Sequence, residues 1–249
     1  MSAPSPLGPD RFDAVLFDLD GVLTATAKVH AACWKRMFDD FLRRRAEQTG
    51  EEFRPFEIET DYKEYVDGKP RYDGVRSFLA ARRIELPEGD LGDPPSFESV
   101  TGLGNLKDKL VNEWLDSEGV ETYPDAVALV HRLRELGIKT AVVSSSRNCR
   151  TVLQAAHIEE LFEIRIDGEV AARLQLKGKP SPDTFLEAAR ELGVEPRRAV
   201  VVEDAISGVQ AGRAGGFGLV IGVDRTGHGR ELEQHGADEV ASDLSLFIA

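Results

Sequence analysis

Short apolar runs alternate with longer amphipathic stretches over most of this chain. Phe12 to Phe17, Lys139 to Val143, Ala199 to Val202 and Gly218 to Val223 are of strand length, mostly apolar and rich in Val. Between them, Val127 to Leu136 and Pro182 to Leu192 carry apolar residues at helical spacing. Strands buried on both faces read as unbroken apolar runs, and a strand–helix–strand rhythm builds a parallel sheet covered by helices. The pattern predicts an α/β fold with a doubly wound, Rossmann-like parallel sheet, whose ligands sit beyond the carboxyl ends of the strands.

One long stretch breaks the rhythm. Before Tyr123-Pro124 lie three amphipathic helical pieces, His30 to Arg45, Gly74 to Arg83 and Asn105 to Ser117, with no convincing buried strand among them. The expected organisation is a core interrupted after its first strand: residues 1–26, an inserted helical cap over residues 27–120, and the rest of the core over residues 121–249. The crossings near Ala25–Ala27 and Gly119–Pro124 are then candidate hinges for closure over a ligand. Residues 1–10, rich in Pro, Ser and Gly, read as a loose terminus.

Composition narrows the partners. A chain of 249 residues can bury a substantial core. Its 31 basic and 44 acidic residues leave a net charge of −13, which argues against nucleic acid or an anionic membrane as the main partner. An acidic protein that binds a phosphorylated ligand must gather positive charge locally, from a metal ion, a few Lys or Arg side chains, or backbone N–H groups. The two cysteines, Cys33 and Cys149, do not suggest a disulfide framework. With no signal-peptide pattern and no run of membrane-spanning length, a cytoplasmic monomer is expected.

Polar groups follow three of the apolar strands, and a lysine lies between two of them. They are Asp18-Leu19-Asp20-Gly21, then Ser144-Ser145-Ser146-Arg147-Asn148, then Lys179 in Gly178 to Asp183, then Glu203-Asp204. A parallel sheet brings all four to one edge. Asp18, Asp204 and Glu203 offer hard oxygen ligands for Mg²⁺, which offsets the repulsion between an anionic nucleophile and a phosphate. Ser144 and neighbouring N–H groups can bind the transferring oxygens, with Lys179 as a point charge. Asp18 is placed to form an acyl phosphate, and Asp20 to exchange protons with the oxygens that leave and attack. Singly, each piece has a plain explanation: an acidic turn, a helix cap, a solvated helix start, a pair of surface acids. Together, and in this order, they suit phosphoryl transfer.

These motifs resemble the haloacid dehalogenase superfamily, and the likeness covers the chain from about Asp10 onward. It implies Asp18 as nucleophile, Asp20 as general acid/base and Mg²⁺ ligand through its carbonyl, Ser144 and Lys179 as phosphate binders, and Glu203 with Asp204 as the metal-binding pair. Within the superfamily the chain is similar to the β-phosphoglucomutase group. Thr26, His30 and Trp34 follow the nucleophile loop at that group's spacing, and Gly68-Lys69-Pro70-Arg71 resembles its cap loop, in which an arginine holds the phosphate not being transferred. Lys107 falls where a cap lysine is found, and Ser144 to Asn148 follow the mutase phosphate loop, with Arg147 where lysine is commoner. Ala25 stands where an acidic residue is usual.

The resemblance implies interconversion of β-glucose 1-phosphate and glucose 6-phosphate through glucose 1,6-bisphosphate. A phosphatase of a small sugar or polyol phosphate would use the same motifs and let water discharge Asp18. A receiver module also groups acids, a hydroxyl and a lysine around a phospho-acceptor Asp, but it is about half this length, orders its acids differently and has no cap.

Overall fold

The computed structural model describes residues 6–248. They divide into two compact units: one formed by the chain up to Thr26 and from Val120 on, the other by Ala27–Gly119. The second unit therefore ends at Gly119, one residue before the boundary drawn from the sequence.

The inserted unit is helical: α1 (Ala27–Thr49), a π-helical segment (Ile58–Val66), α2 (Arg71–Ala81) and α3 (Val100–Glu118). Each of the three expected helices starts earlier in the chain than its amphipathic pattern suggested. The π-helical segment was not anticipated, because its sequence IETDYKEYV is only nine residues long and four of them are charged. An aromatic stack makes the core of this unit, with Phe38 centred 5.4 Å from Trp34, 5.1 Å from Phe56 and 4.2 Å from Phe78. The charged stretch before α2 is tied to it by buried acids: Asp39 accepts from the Phe56 N–H at 2.8 Å, and Asp61 pairs with Arg82 at 2.6 Å.

The core unit is a six-stranded sheet of β1 (Ala14–Phe17), β2 (Lys139–Val143), β3 (Ile164–Ile166), β4 (Ala199–Glu203), β5 (Leu219–Val223) and β6 (Glu239–Ala241), in the order β3-β2-β1-β4-β5-β6. Every neighbouring pair is parallel. Its helices are α4 (Pro124–Glu135), α5 (Cys149–Ala155), α6 (Gly168–Leu174), α7 (Asp183–Leu192), α8 (Ile206–Ala214) and α9 (Gly229–Gln234). This is the α/β architecture expected. Two strands were missed in the sequence, for a common reason: β3 is three residues with Arg165 at its centre, and β6 opens on an exposed Glu239. Neither presents the unbroken apolar run of a strand buried on both faces.

The first strand starts at Ala14 rather than Phe12, and Asp13, just before it, pairs with Arg198 at 2.6 Å. The loose terminus is corrected for residues 6–10. Leu7 is fully buried, and the Arg198 guanidinium donates to the carbonyls of Pro9 and Asp10. Residues 1–5 lie outside the described residues. Both cysteines are buried and unbonded to each other. No helix among the described residues is long and apolar enough to cross a membrane.

Candidate active site

Register decides what meets at the sheet edge. Phe17 lies opposite Val142 on one side and Val202 on the other, so β1, β2 and β4 run out together. The residues that follow are Asp18, Ser144 and Glu203-Asp204. Lys179, in the loop before α7, reaches into the same place: its Nζ donates to Asp18 Oδ1 at 2.5 Å, Glu203 Oε1 at 2.6 Å and the Val143 carbonyl at 3.1 Å. Three acceptors fill the three donors of the ammonium.

Glu203 is wholly buried and its other oxygen accepts from the Ala205 N–H at 2.8 Å. Its side chain occupies the space above Gly208, where a Cβ would fall 1.8 Å from Oε1. Asp204 occupies the corresponding space at Gly21, whose Cβ would lie 1.8 Å from Asp204 Oδ2. Gly21 also has φ +84°, so that position excludes a side chain both by conformation and by contact.

Burial pushes the Asp18 carboxyl well above the usual carboxylate range, and Glu203 and Asp20 add to that while Lys179 opposes it. Burial alone would lower Lys179, but Asp18 and Glu203 hold it above its ordinary value. Asp18 and Glu203 share one buried ammonium, Asp20 adds negative charge around Asp18, and an Asp204 oxygen lies within 4.8 Å of the Asp18 and Glu203 oxygens, so the site is short of positive charge. A divalent cation would make up that deficit. Oxygens of Asp18, Glu203 and Asp204 lie within 4.8 Å of one another, near the ~4.2 Å span of an octahedral Mg²⁺ shell with bonds of ~2.1 Å. An all-oxygen donor set suits Mg²⁺ better than softer metals. Glu203 already spends both oxygens on Lys179 and Ala205, so its first service to the site is to anchor the lysine.

Asp20 is outside that trio. Its Oδ1 is hydrogen-bonded to the Thr26 hydroxyl, Thr26 Oγ1 lies 2.8 Å from Thr24 Oγ1, and Thr24 donates to the Leu19 carbonyl at 3.1 Å. Thr24 is fully buried and was not singled out in the sequence, though it sits two residues from Thr26. In the loop after β2, Ser144 is buried and its Oγ accepts from the Ser146 N–H at 3.1 Å, while Ser146 Oγ accepts from the Asn148 N–H at 3.1 Å. The two hydroxyls thus brace the loop from within. Ser145 and Asn148 are half-buried and Arg147 is exposed. Asp167, also not anticipated, buttresses this loop from the end of β3. It caps α6 through the N–H groups of Glu169 and Val170, and the Gly168 N–H reaches the Ser146 carbonyl at 3.1 Å.

The remaining sequence candidates belong to the helical unit. His30 Nδ1 lies 2.7 Å from Lys107 Nζ, and that buried ammonium stands 5.2 Å from the Trp34 ring centre. Trp34 itself is 4% exposed and packed in the aromatic core, so its part is to support Lys107. Arg71 starts α2, just beyond the turn at Gly68. It pairs with Asp108, donates to the Tyr72 hydroxyl at 3.3 Å, and has its Nε buried with no partner. Tyr72 in turn donates to Asn105 at 2.8 Å.

The family model of the haloacid dehalogenase-like hydrolases matches residues 12–216. A β-phosphoglucomutase of Mycobacterium tuberculosis is 48% identical over 96% of this chain and 93% of its own length. Hexitol phosphatase A of Escherichia coli is 30% identical over 84% of this chain and 82% of its own. Among solved structures, a β-phosphoglucomutase from Clostridium difficile shares the fold with a TM-score of 0.71 at 23% identity, covering 94% of this chain and 92% of that one. With an aspartate at the end of β1 bound to a buried lysine, and with matches that span the helical unit as well as the sheet, this chain belongs to the haloacid dehalogenase-like hydrolases, as an enzyme of their β-phosphoglucomutase-like group.

Proposed function

We propose that the protein is a Mg²⁺-dependent phosphomutase that interconverts β-glucose 1-phosphate and glucose 6-phosphate, with Asp18 as the phosphorylated residue and glucose 1,6-bisphosphate as intermediate. The observation that carries the reading is the 48% identity to a β-phosphoglucomutase over nearly the whole of both chains, inserted unit included. A mutase and a phosphatase differ in what that unit admits to the phospho-aspartate, a sugar hydroxyl or water.

In this reading the phosphorylated Asp18 gives its phosphoryl group to the C6 hydroxyl of β-glucose 1-phosphate. The Asp18 O–P bond breaks, the new O–P bond forms, and the hydroxyl proton passes to Asp20. The bisphosphate then presents its other end. The Asp18 carboxylate attacks the C1 phosphorus, and the departing C1 oxygen takes the proton back from Asp20, which leaves glucose 6-phosphate and the phosphorylated enzyme. The hydroxyl chain supports Asp20 in this part. The Thr26 hydroxyl donates to Asp20 Oδ1 and is itself braced by Thr24, which orients the carboxyl. Ser144 and its neighbour Ser145 would receive the transferring oxygens, on a loop braced by the Ser146 and Asn148 N–H groups through the Ser144 and Ser146 hydroxyls. Arg71, with Gly68, His30 and Lys107, would recognise the other phosphate and the sugar. Held by Asp18, Asp204, Glu203 and the Asp20 carbonyl, Mg²⁺ would supply the charge that brings two anions together.

A phosphatase of a small sugar or polyol phosphate is the second reading, favoured by the likeness to hexitol phosphatase A. A coupled assay with Mg²⁺, β-glucose 1-phosphate and a trace of glucose 1,6-bisphosphate separates the two. Glucose 6-phosphate forming much faster than free phosphate supports the mutase; phosphate as the main product overturns it.

A further inference from the structure

The loop that leaves β5 is built around one carboxylate. Asp224 Oδ1 accepts from the N–H groups of Thr226, Gly227 and His228, and Oδ2 accepts from Gly229 at 2.9 Å. Four backbone donors on one side chain hold the loop in a single shape and set the position of His228. The His228 ring is 13% exposed and faces the neighbouring strand end, where its Nε2 lies 3.0 Å from the backbone carbonyl of Asp204. A carbonyl can only accept, so Nε2 carries the proton. Nδ1 on the other side of the ring lies 2.7 Å from the Thr226 hydroxyl and 3.5 Å from Asp224 Oδ1, so the ring is braced by its own loop.

Asp204 is thereby held at two points. Its carboxylate lies in the space left by Gly21, and its carbonyl is held by a ring braced on a separate loop. Nothing else in the sequence marks His228, since it is 24 residues from Asp204 and belongs to no motif.

We infer that His228 is a positioning residue for the metal site, fixing the backbone of Asp204 through its Nε2–H so that the carboxylate is presented to Mg²⁺ at little reorganisation cost. The inference rests on the reading of Asp204 as a Mg²⁺ ligand. Groups that orient a ligand from behind typically change metal affinity by 10–100-fold when removed.

The test is calorimetric titration of the metal-free protein with MgCl₂, for the wild type, His228→Phe, His228→Gln and Asp204→Asn, with thermal unfolding of each protein without metal. Phe keeps the ring's bulk and loses the donor, while Gln keeps an N–H at a similar reach. The expected result is an Mg²⁺ dissociation constant raised about tenfold in His228→Phe and restored to within about threefold of wild type in His228→Gln, with metal-free unfolding temperatures alike. Equal affinity in His228→Phe and wild type overturns the inference. So does a His228→Gln variant as weak as His228→Phe, which would mean that the ring and not its hydrogen bond matters. A loss of metal-free stability in His228→Phe that matches its loss of affinity would make the role purely structural and also overturn it. If Asp204→Asn binds Mg²⁺ as the wild type does, the underlying assignment of Asp204 fails instead, and the inference falls with it.

Discussion

The ammonium of Lys179 lies 2.5 Å from Oδ1 of Asp18, across 161 residues of sequence, with the two side chains 1% and 9% exposed. The same nitrogen holds Glu203, so Lys179→Met leaves two buried carboxylates without their counter-charge. Breaking a buried pair by removing one partner typically costs about 3–5 kcal/mol, and losing an electrostatic contact to the transferring group costs about 10²–10³ in kcat. Lys179→Met is expected to lower the unfolding temperature by on the order of 10 °C and kcat by at least about a hundredfold. Calorimetry and steady-state kinetics on one preparation check both. A variant as stable as the wild type would mean that the contacts of Lys179 with Asp18 and Glu203 add nothing to folding.

Asp18 is the group expected to carry the phosphoryl group. Asp18→Asn removes the nucleophilic oxygen while keeping shape, so no acid-stable-then-hydroxylamine-labile phosphoprotein should form, and turnover should fall to background. Asp20→Ala should still accept phosphate, only slowly, because Asp20 moves protons and forms no bond to phosphorus. Mass spectrometry of the trapped protein distinguishes the two, and normal turnover by Asp18→Asn would end the mechanism.

Arg71 offers a planar guanidinium already oriented by Asp108 and Tyr72, which suits two-point binding of a phosphate. Arg71→Ala is expected to raise KM for the sugar phosphate about tenfold or more, an effect of order 1.4 kcal/mol, with a smaller change in the first phosphorylation of Asp18 by a simple phosphoryl donor. Arg71→Lys should recover only part of the loss, since an ammonium cannot make the paired contact. Equal losses toward both donors would place Arg71 outside phosphate recognition.

Asp224 gives a pH signature that does not depend on the reaction. Burial opposes its ionisation, but the N–H groups of His228, Gly227, Gly229 and Thr226 outweigh that and lower its carboxyl below the ordinary value. A carboxyl lowered on folding binds fewer protons in the folded state than in the unfolded one. Its contribution is therefore present above about pH 4, the unfolded value, and is lost as pH falls through the lower folded value. Asp224→Asn should unfold a few degrees below wild type at pH 7, and the gap should narrow and close as pH falls toward 3 and below. A gap that stays constant with pH would assign the effect to packing instead.

Much of this molecule is readable from its residues in order. The strands β1, β2, β4 and β5 announce themselves because a strand buried on both faces must be apolar at every position. Parallel pairing then requires the residues after them to emerge at one edge, which is why Asp18, Ser144 and Glu203-Asp204 could be grouped before any coordinates. β3 and β6 lie at the two edges of the sheet, where strands are short and carry polar residues, so their local pattern is no different from a loop.

Only the tertiary structure decided what each polar group does once it arrives. That Glu203 spends its oxygens on Lys179 and Ala205, that Thr24 extends the Asp20–Thr26 contact to Leu19, that Trp34 lies inside an aromatic stack, and that His228 holds the Asp204 carbonyl are facts of distance that no pattern along the chain records. The sequence by itself determined periodicity and strand ends, because those follow from which neighbours along the chain are apolar. It left hydrogen-bond partners open, because a donor's partner depends on strand register, helix packing and loop shape, and those are settled only when the whole core closes.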